Sequence, residues 1–338
     1  MPTSLQPVRW PAPRAPRRAR QLTGAHLLPP VDRLELPGAG PEDVVADAEG
    51  RLLVGLEDGR ILRVSRDGRL LETLTSTGGR PLGLETLPDG GLLICDESRG
   101  LLRLAPDAPD PEVLVSEVRG EPLAFCSNAV ATSDGTIYFT SSSRRWRLHE
   151  YRQDLIEHTG TGRLMRRTPD GSVEVLLEHL QFANGVALAD DESFLVFAET
   201  AAYRLSRYQL TGPDAGRRRV LADNLPGFPD NIGRGSGGVT WVTLASPRDP
   251  ALDALLRRGP LLRRALSRLP ERWQPGPRRT AWVLGVDDDG RVVADLQAPG
   301  ENYSFVTGVV EYDGVLYLGS LHERAIGVLP LPEAARRS

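Results

Sequence analysis

Three asparagines carry the first chemical signal in this sequence. Asn128, Asn184 and Asn231 each stand six residues ahead of a turn, at Asp134, Asp190 and Gly237, in stretches otherwise made of strand-forming residues. Asparagine is a poor strand former, so its recurrence at one register position points to a use for its amide. The same count from Asp89 and Asp313 reaches Gly83 and Thr307; in the first repeat the strand start carries Glu42, its register open by one residue, and Asp230 lies beside Asn231. Taken singly, each asparagine could equally cap a turn. As a set without His or Cys, these amide and carboxylate oxygens are hard donors that suit Ca²⁺, whereas zinc and copper favour nitrogen and sulfur. Glu42, Asn128, Asn184, Asp230 and Asn231 are therefore the expected ligands of one divalent ion.

Such residues act together only if the chain brings their strand starts to one place. A phrase of short apolar run, Asp/Gly turn, strand-rich run, second turn and further strand-rich run recurs six times. Its clearest copies are 47–64 (DAEGRLLVGLEDGRILRV) and 87–104 (LPDGGLLICDESRGLLRL), and later copies begin near Asp134, Asp190, Ser236 and Asp313. Short strands between Gly/Asp turns predict antiparallel hairpins. A unit of about 40–50 residues with roughly four strands is the mark of a propeller blade. The expected fold is all-β, a six-bladed β-propeller of four-stranded antiparallel blades over residues 30–331, preceded by a Pro/Arg-rich arm (1–29) and followed by a short tail (332–338). A β-sandwich with a helical domain would not need the same phrase six times.

Two segments interrupt the repeat, 144–160 in blade three and 245–279 in blade five. The second reads as helical, with Asp249 as N-cap, Pro250 at the first helical position and Gly259-Pro260 as a break. Its leucines, among them Leu252, Leu255, Leu256, Leu261, Leu262, Leu266 and Leu269, form apolar stripes opposite Arg257, Arg258, Arg263, Arg264 and Arg268. If each innermost strand begins at the metal face, the connection between second and third strands returns there. Both insertions should then form a lid over the channel mouth, lined by Trp146, Tyr151, Leu255 and Leu262.

Composition excludes other classes. Forty-one basic against 45 acidic residues give a net charge of −4, and no lysine occurs. No basic excess marks a nucleic-acid partner. Cys95 and Cys126 show no zinc spacing, and two cysteines are too few for a disulfide framework. Both are expected to be free, in a cytoplasmic protein. No apolar run approaches the roughly 18 residues a membrane span needs, so no stable membrane insertion is expected. The expected partner is a small-molecule substrate.

The phrases GPEDV, GRPLGL, TGRLMRRTPDG, FANGVAL, LTGPDAGRRRVLADNLPGFPDNI and DGVLYLGS, in this order over residues 38–330, resemble the six-bladed superfamily of strictosidine synthase-like proteins, gluconolactonases and paraoxonases. The likeness is greatest to the branch of strictosidine synthase-like and adipocyte plasma membrane-associated proteins. It implies that Glu42, Asn128, Asn184, Asp230 and Asn231 hold a catalytic calcium in a hydrolase of a lactone or ester. Asp230 would be base or nucleophile, with Glu42 beside it and His322 as a candidate proton shuttle. Three departures qualify that expectation. Thr307 replaces the glutamate that strictosidine-type condensation needs, Leu82 stands where paraoxonases carry a catalytic histidine, and Ala129 replaces an aspartate common after the third-blade asparagine. The expected alternative to a hydrolase is a non-catalytic propeller that binds a ligand or partner.

Overall fold

In a computed structural model the described residues are 5–20, 27–266 and 276–332. Arg268, Leu269 and most of the expected tail lie outside them. The chain forms six four-stranded antiparallel sheets. The innermost strands of blades one to six are Val44–Ala46, Pro81–Thr86, Cys126–Ala131, Ala183–Leu188, Gly227–Arg234 and Val306–Tyr312. Alternating apolar residues on each strand meet those of the next blade, and one buried apolar cluster fills each of the six gaps between neighbours. Trp241, Trp282, Tyr203, Tyr303, Phe139 and Phe197 are large rings in these gaps, each no more than 2% exposed.

Blade six takes only three strands from the C-terminal repeat. Its outer strand is Asp32–Glu35, paired antiparallel with Ala325–Pro330 so that Asp32 faces Val328 and Glu35 faces Ala325. Joining the first and last repeats in one sheet closes the ring and removes its free edges. Sequence reading had no local signal for this closure, nor for the small hairpin Glu117–Val118 with Glu121–Pro122.

The insertions fall between second and third strands of blades three and five. The first carries the helix Tyr151–Glu157; the second carries Pro250–Leu256 and Pro260–Leu266. Asp249 caps the former of these, accepting the Ala251 N–H at 2.7 Å. The blade-five strand runs two residues further than expected, to Pro247. The expected arginine face is also corrected at Arg263, which is buried. Its guanidinium donates to the carbonyls of Ile156 at 2.9 Å and Val8 at 2.7 Å, joining the other insertion to the arm. Leu261 points outward and is 78% exposed.

The arm runs over both insertions. Val8 N–H donates to Glu157 O and Trp10 N–H to Leu256 O, and the Trp10 ring stacks on His158 with centroids 4.3 Å apart. Burial pushes the His158 imidazole down to about 3, and neither ring nitrogen has a hydrogen-bond partner among the described residues. A base whose folded pKa is depressed is neutral in the native state. Its contribution is therefore complete above the ordinary value of 6.5 and is lost as pH falls towards 3. His158→Phe should flatten the acid-side fall in thermal stability between about pH 6 and pH 4. An acid limb identical to that of the unmodified protein would remove His158 as its source.

Candidate functional site

Five of the six innermost strands break register at one level, between Pro81/Leu84, Cys126/Ala129, Ala183/Val186, Pro229/Ile232 and Val306/Val309. Two residues in each strand therefore escape the ladder and present side chains to the axis, as a bulge permits. Aligned this way, the first layer is Glu42, Leu82, Ser127, Asn184, Asp230 and Thr307. The second is Asp43, Gly83, Asn128, Gly185, Asn231 and Gly308. Counting from the turns had mixed the two, because the turns differ in length. Asn184 and Thr307 belong with Glu42 and Asp230, one residue before Asn128 and Asn231.

Glycine alternates with Asp or Asn around the second layer for a steric reason. A Cβ on Gly83 would lie 2.6 Å from Asn128 Cα, one on Gly185 2.5 Å from Asn231 Cα, and one on Gly308 2.6 Å from Asp43 Cα. Each polar side chain thus occupies space that the glycine of the preceding blade leaves open.

Carbonyls of the innermost strands are tied from blade to blade by threonines. Thr140 Oγ1 donates to Asn184 O at 2.6 Å, Thr200 to Pro229 O at 2.6 Å, Thr243 to Thr307 O at 3.0 Å and Thr307 to Glu42 O at 2.6 Å. Thr307 is therefore a structural stitch with its hydroxyl committed.

The amides interlock with the acids. Asn231 Nδ2 donates to Glu42 Oε1 at 3.0 Å, Asn128 Nδ2 to Asn231 Oδ1 at 3.2 Å, and Asn184 Nδ2 to Asp230 Oδ1 at 2.7 Å. Asp43, missed by sequence reading, accepts from Leu84 N–H at 3.0 Å and Asn128 Nδ2 at 3.3 Å. Its signal was present in GPEDV, where the one-residue uncertainty left room for either acid. Asp43 also alters the meaning of Ala129, which packs in the apolar gap between blades two and three. The carboxylate beside Asn128 comes from blade one.

Glu42, Asp43 and Asp230 are all buried. Among the described residues none forms a salt bridge; the closest opposing influence on Glu42 is the field of Arg80. Burial, followed by repulsion from Asp43 and Asp230, raises Glu42 well above the ordinary carboxylate range. Burial likewise raises Asp43 and Asp230 to about 7. Glu42 Oε2 is buried without a hydrogen-bond partner among the described residues. An orphaned carboxylate oxygen amid uncompensated acids and reversible amides is what a hard cation would satisfy. Among the described residues no group of three His, Cys, Asp or Glu side chains suffices by itself, so amide oxygens would have to contribute.

Above the first layer lies a cavity of about 780 Å³. Glu42, Ser127, Asn184 and Asp230 form its floor; Leu82, Phe125, Phe182, Phe228 and Phe305 surround them. Both insertions line the upper part, through Tyr151 and Leu155 from blade three and Leu252, Leu255 and Leu262 from blade five. Trp146 is absent from that lining. Its indole N–H donates to the buried Glu157 carboxylate at 2.8 Å, which Arg145 also holds, so the ring anchors the insertion from behind. His322 is not brought to the floor either; it stacks on Phe305 at 4.2 Å, and burial lowers its pKa. Cys95 and Cys126 are free and buried in the gap between blades two and three.

Comparison with known proteins agrees with this arrangement. The strictosidine synthase family matches residues 128–213, and the N-terminal region of strictosidine synthase-like proteins matches residues 27–64. Adipocyte plasma membrane-associated protein of Rattus norvegicus is 35% identical over 314 residues, covering 86% of this chain and 83% of its own. The Arabidopsis thaliana protein strictosidine synthase-like 6 is 34% identical over 313 residues, covering 89% and 80%. Among solved structures, a gluconolactonase from Xanthomonas campestris superposes with a TM-score of 0.65 at 18% identity, covering 89% of each chain. Regucalcin, a calcium-binding protein from Agrobacterium tumefaciens, does so at 0.62 and 16% identity, covering 90% of this chain and 95% of its own. These likenesses to solved structures establish the shared propeller, while the sequence relatives establish descent: the chain belongs to the family of strictosidine synthase-like and adipocyte plasma membrane-associated proteins.

Proposed function

We propose that this propeller is a calcium-dependent hydrolase of a lactone or ester. One observation carries the reading: buried carboxylates with no basic partner among the described residues, one oxygen of Glu42 orphaned, sit among three amides at the floor of an apolar cavity. Glu42, Asn128, Asn184, Asp230 and Asn231 would hold the ion. When bound, calcium supplies a Lewis acid for the substrate carbonyl. Asn184 fixes one oxygen of Asp230 at 2.7 Å. Ionised when calcium is bound, Asp230 would be the group that takes a proton from water. Leu82 and the phenylalanines keep bulk water from the floor, so charges there act with little screening. Thr307 leaves no carboxylate for amine–aldehyde condensation.

One observation favours the non-catalytic alternative. Among the described residues no histidine lines the cavity, so proton transfer rests on Asp230 alone. A panel of lactones and aryl esters, assayed with calcium and with chelator, distinguishes the two. Calcium-dependent turnover supports the hydrolase, and no turnover on any member in either condition supports the binding propeller.

Metal removal should also change the pH dependence of stability. The acids have raised folded pKa values, so in chelator their stabilising effect is present below about pH 4 and lost as pH rises through about 7. Calcium needs them ionised and should therefore add more to thermal stability at pH 8 than at pH 5. At a hundredfold excess over Kd the gain is about 2.7 kcal/mol. A calcium-induced shift that is zero, or that shrinks with rising pH, would contradict the site.

A further inference from the structure

The two ends of the cavity differ in charge. At the floor are Glu42 and Asp230; at the upper rim, contributed by the insertions, are Arg152, Arg258 and Arg278. Several buried or half-buried arginines elsewhere in the chain find a carboxylate, as Arg145 does in Glu157, Arg204 and Arg218 in Glu199, and Arg248 in Asp253. Among the described residues the rim arginines do not. Arg152 reaches the Tyr151 hydroxyl at 3.5 Å and lies over that ring at 5.9 Å. Arg278 donates to the carbonyls of Ala19 at 3.1 Å and Arg248 at 3.4 Å. Arg258 has no side-chain partner among the described residues. Asp249, the remaining acid of the lining, is engaged as a helix cap at 2.7 Å. Three guanidinium groups thus stand above an apolar shaft with donors to spare, and a planar guanidinium matches a carboxylate or phosphate with two parallel hydrogen bonds.

We propose that the cavity selects an amphiphile: an apolar chain or ring system along the shaft, ending in an anionic head, carboxylate or phosphate, that Arg152, Arg258 and Arg278 hold at the rim. Resting on the hydrolase reading, this makes the substrate a lipophilic ester or lactone with a second, charged end distant from the reacting carbonyl. The basic rim attracts that end, so the charge at the rim fixes which way round the molecule enters. The four phenylalanines and the leucines of the lid supply the apolar contact that a cavity of about 780 Å³ offers to a chain of a dozen or more carbons.

Calorimetric titration of the full chain in chelator tests the proposal without calcium or turnover. The probes are dodecanoate, dodecyl phosphate and uncharged dodecanol. At least one anion should bind tenfold or more tightly than the alcohol, and which one does so identifies the head group. Added salt should weaken the anion and spare the alcohol. Arg152→Gln with Arg258→Gln should remove the anion's advantage while leaving dodecanol affinity unchanged, a control that also reports a folded cavity. Equal affinity for anion and alcohol, or an anion preference that survives the double substitution, overturns the rim assignment. Since no calcium is present, a preference that appears only when calcium is restored places the head group at the floor and overturns it too. Failure of hydrolysis leaves these binding results untouched, so the two readings fail separately.

Discussion

Asp230→Asn is expected to lower kcat/KM on the best lactone or ester of the panel by about 10²–10⁴-fold, the usual contribution of a positioned general base. The substitution retains shape and volume but removes the charge. It also places an amide against the Nδ2 of Asn184, which now donates to Asp230 Oδ1 at 2.7 Å. Calcium affinity should fall in the same variant, because one of the few charges in a mostly amide site is gone. In chelator, by contrast, the variant should be more stable than the parent above about pH 7. There the parent has to ionise a buried acid beside Glu42 and Asp43, whereas the substituted amide carries no charge at any pH. These opposite signs separate a site effect from simple misfolding. Turnover within twofold of the parent, measured at saturating calcium, would exclude Asp230 as base or nucleophile.

Gly185→Ala is expected to destabilise the protein by about 3 kcal/mol, at the upper end of overpacking costs, and to lower Tm by roughly 4 °C. Its Cβ would fall 2.4 Å from Ile232 N and 2.5 Å from Asn231 Cα, both backbone atoms that cannot swing aside. The innermost strands of blades four and five would have to separate where Asn231 reaches Glu42, so calcium affinity should fall as well. Gly259→Ala is the matched control. Among the described residues that glycine has no neighbour within 4 Å of its added Cβ, and the change should stay within about 0.5 kcal/mol. Thermal unfolding of both variants, with and without calcium, decides the point; a Gly185→Ala protein as stable as the control would mean the axial strands are not in contact as described.

Much of this site was legible in the chain because its signals are local. An asparagine in a strand, a turn six residues later and an Asp-Pro pair opening a helix can each be read within a few residues. That is why Asn128, Asn184, Asn231 and the Asp249 cap were found. Asp43 escaped because both acids of blade one precede its paired strand, which begins at Val44, so no local ladder marks the layer that each one joins. Trp146 and Leu255 look alike as apolar lid residues. Only the position of the buried Glu157 draws the indole N–H away from the cavity. His322 falls in a plausible strand end, yet packing against Phe305 turns it from the floor.

The sequence by itself determined the repeat, the six blades, the strand starts that carry oxygen donors and the positions of both insertions, because each depends on residues close along the chain. Tertiary structure alone decided the rest. The closing strand Asp32–Glu35 pairs across almost 300 residues with Ala325–Pro330, and no local preference encodes such a partner. The division of the axial residues into two layers, the glycines that make room for Asp43, Asn128 and Asn231, and the opposition of acidic floor to basic rim all arise from distances between blades. Such contacts exist only once the ring has closed, since it is closure that brings side chains far apart in sequence within a few ångströms and removes the water that would otherwise screen them.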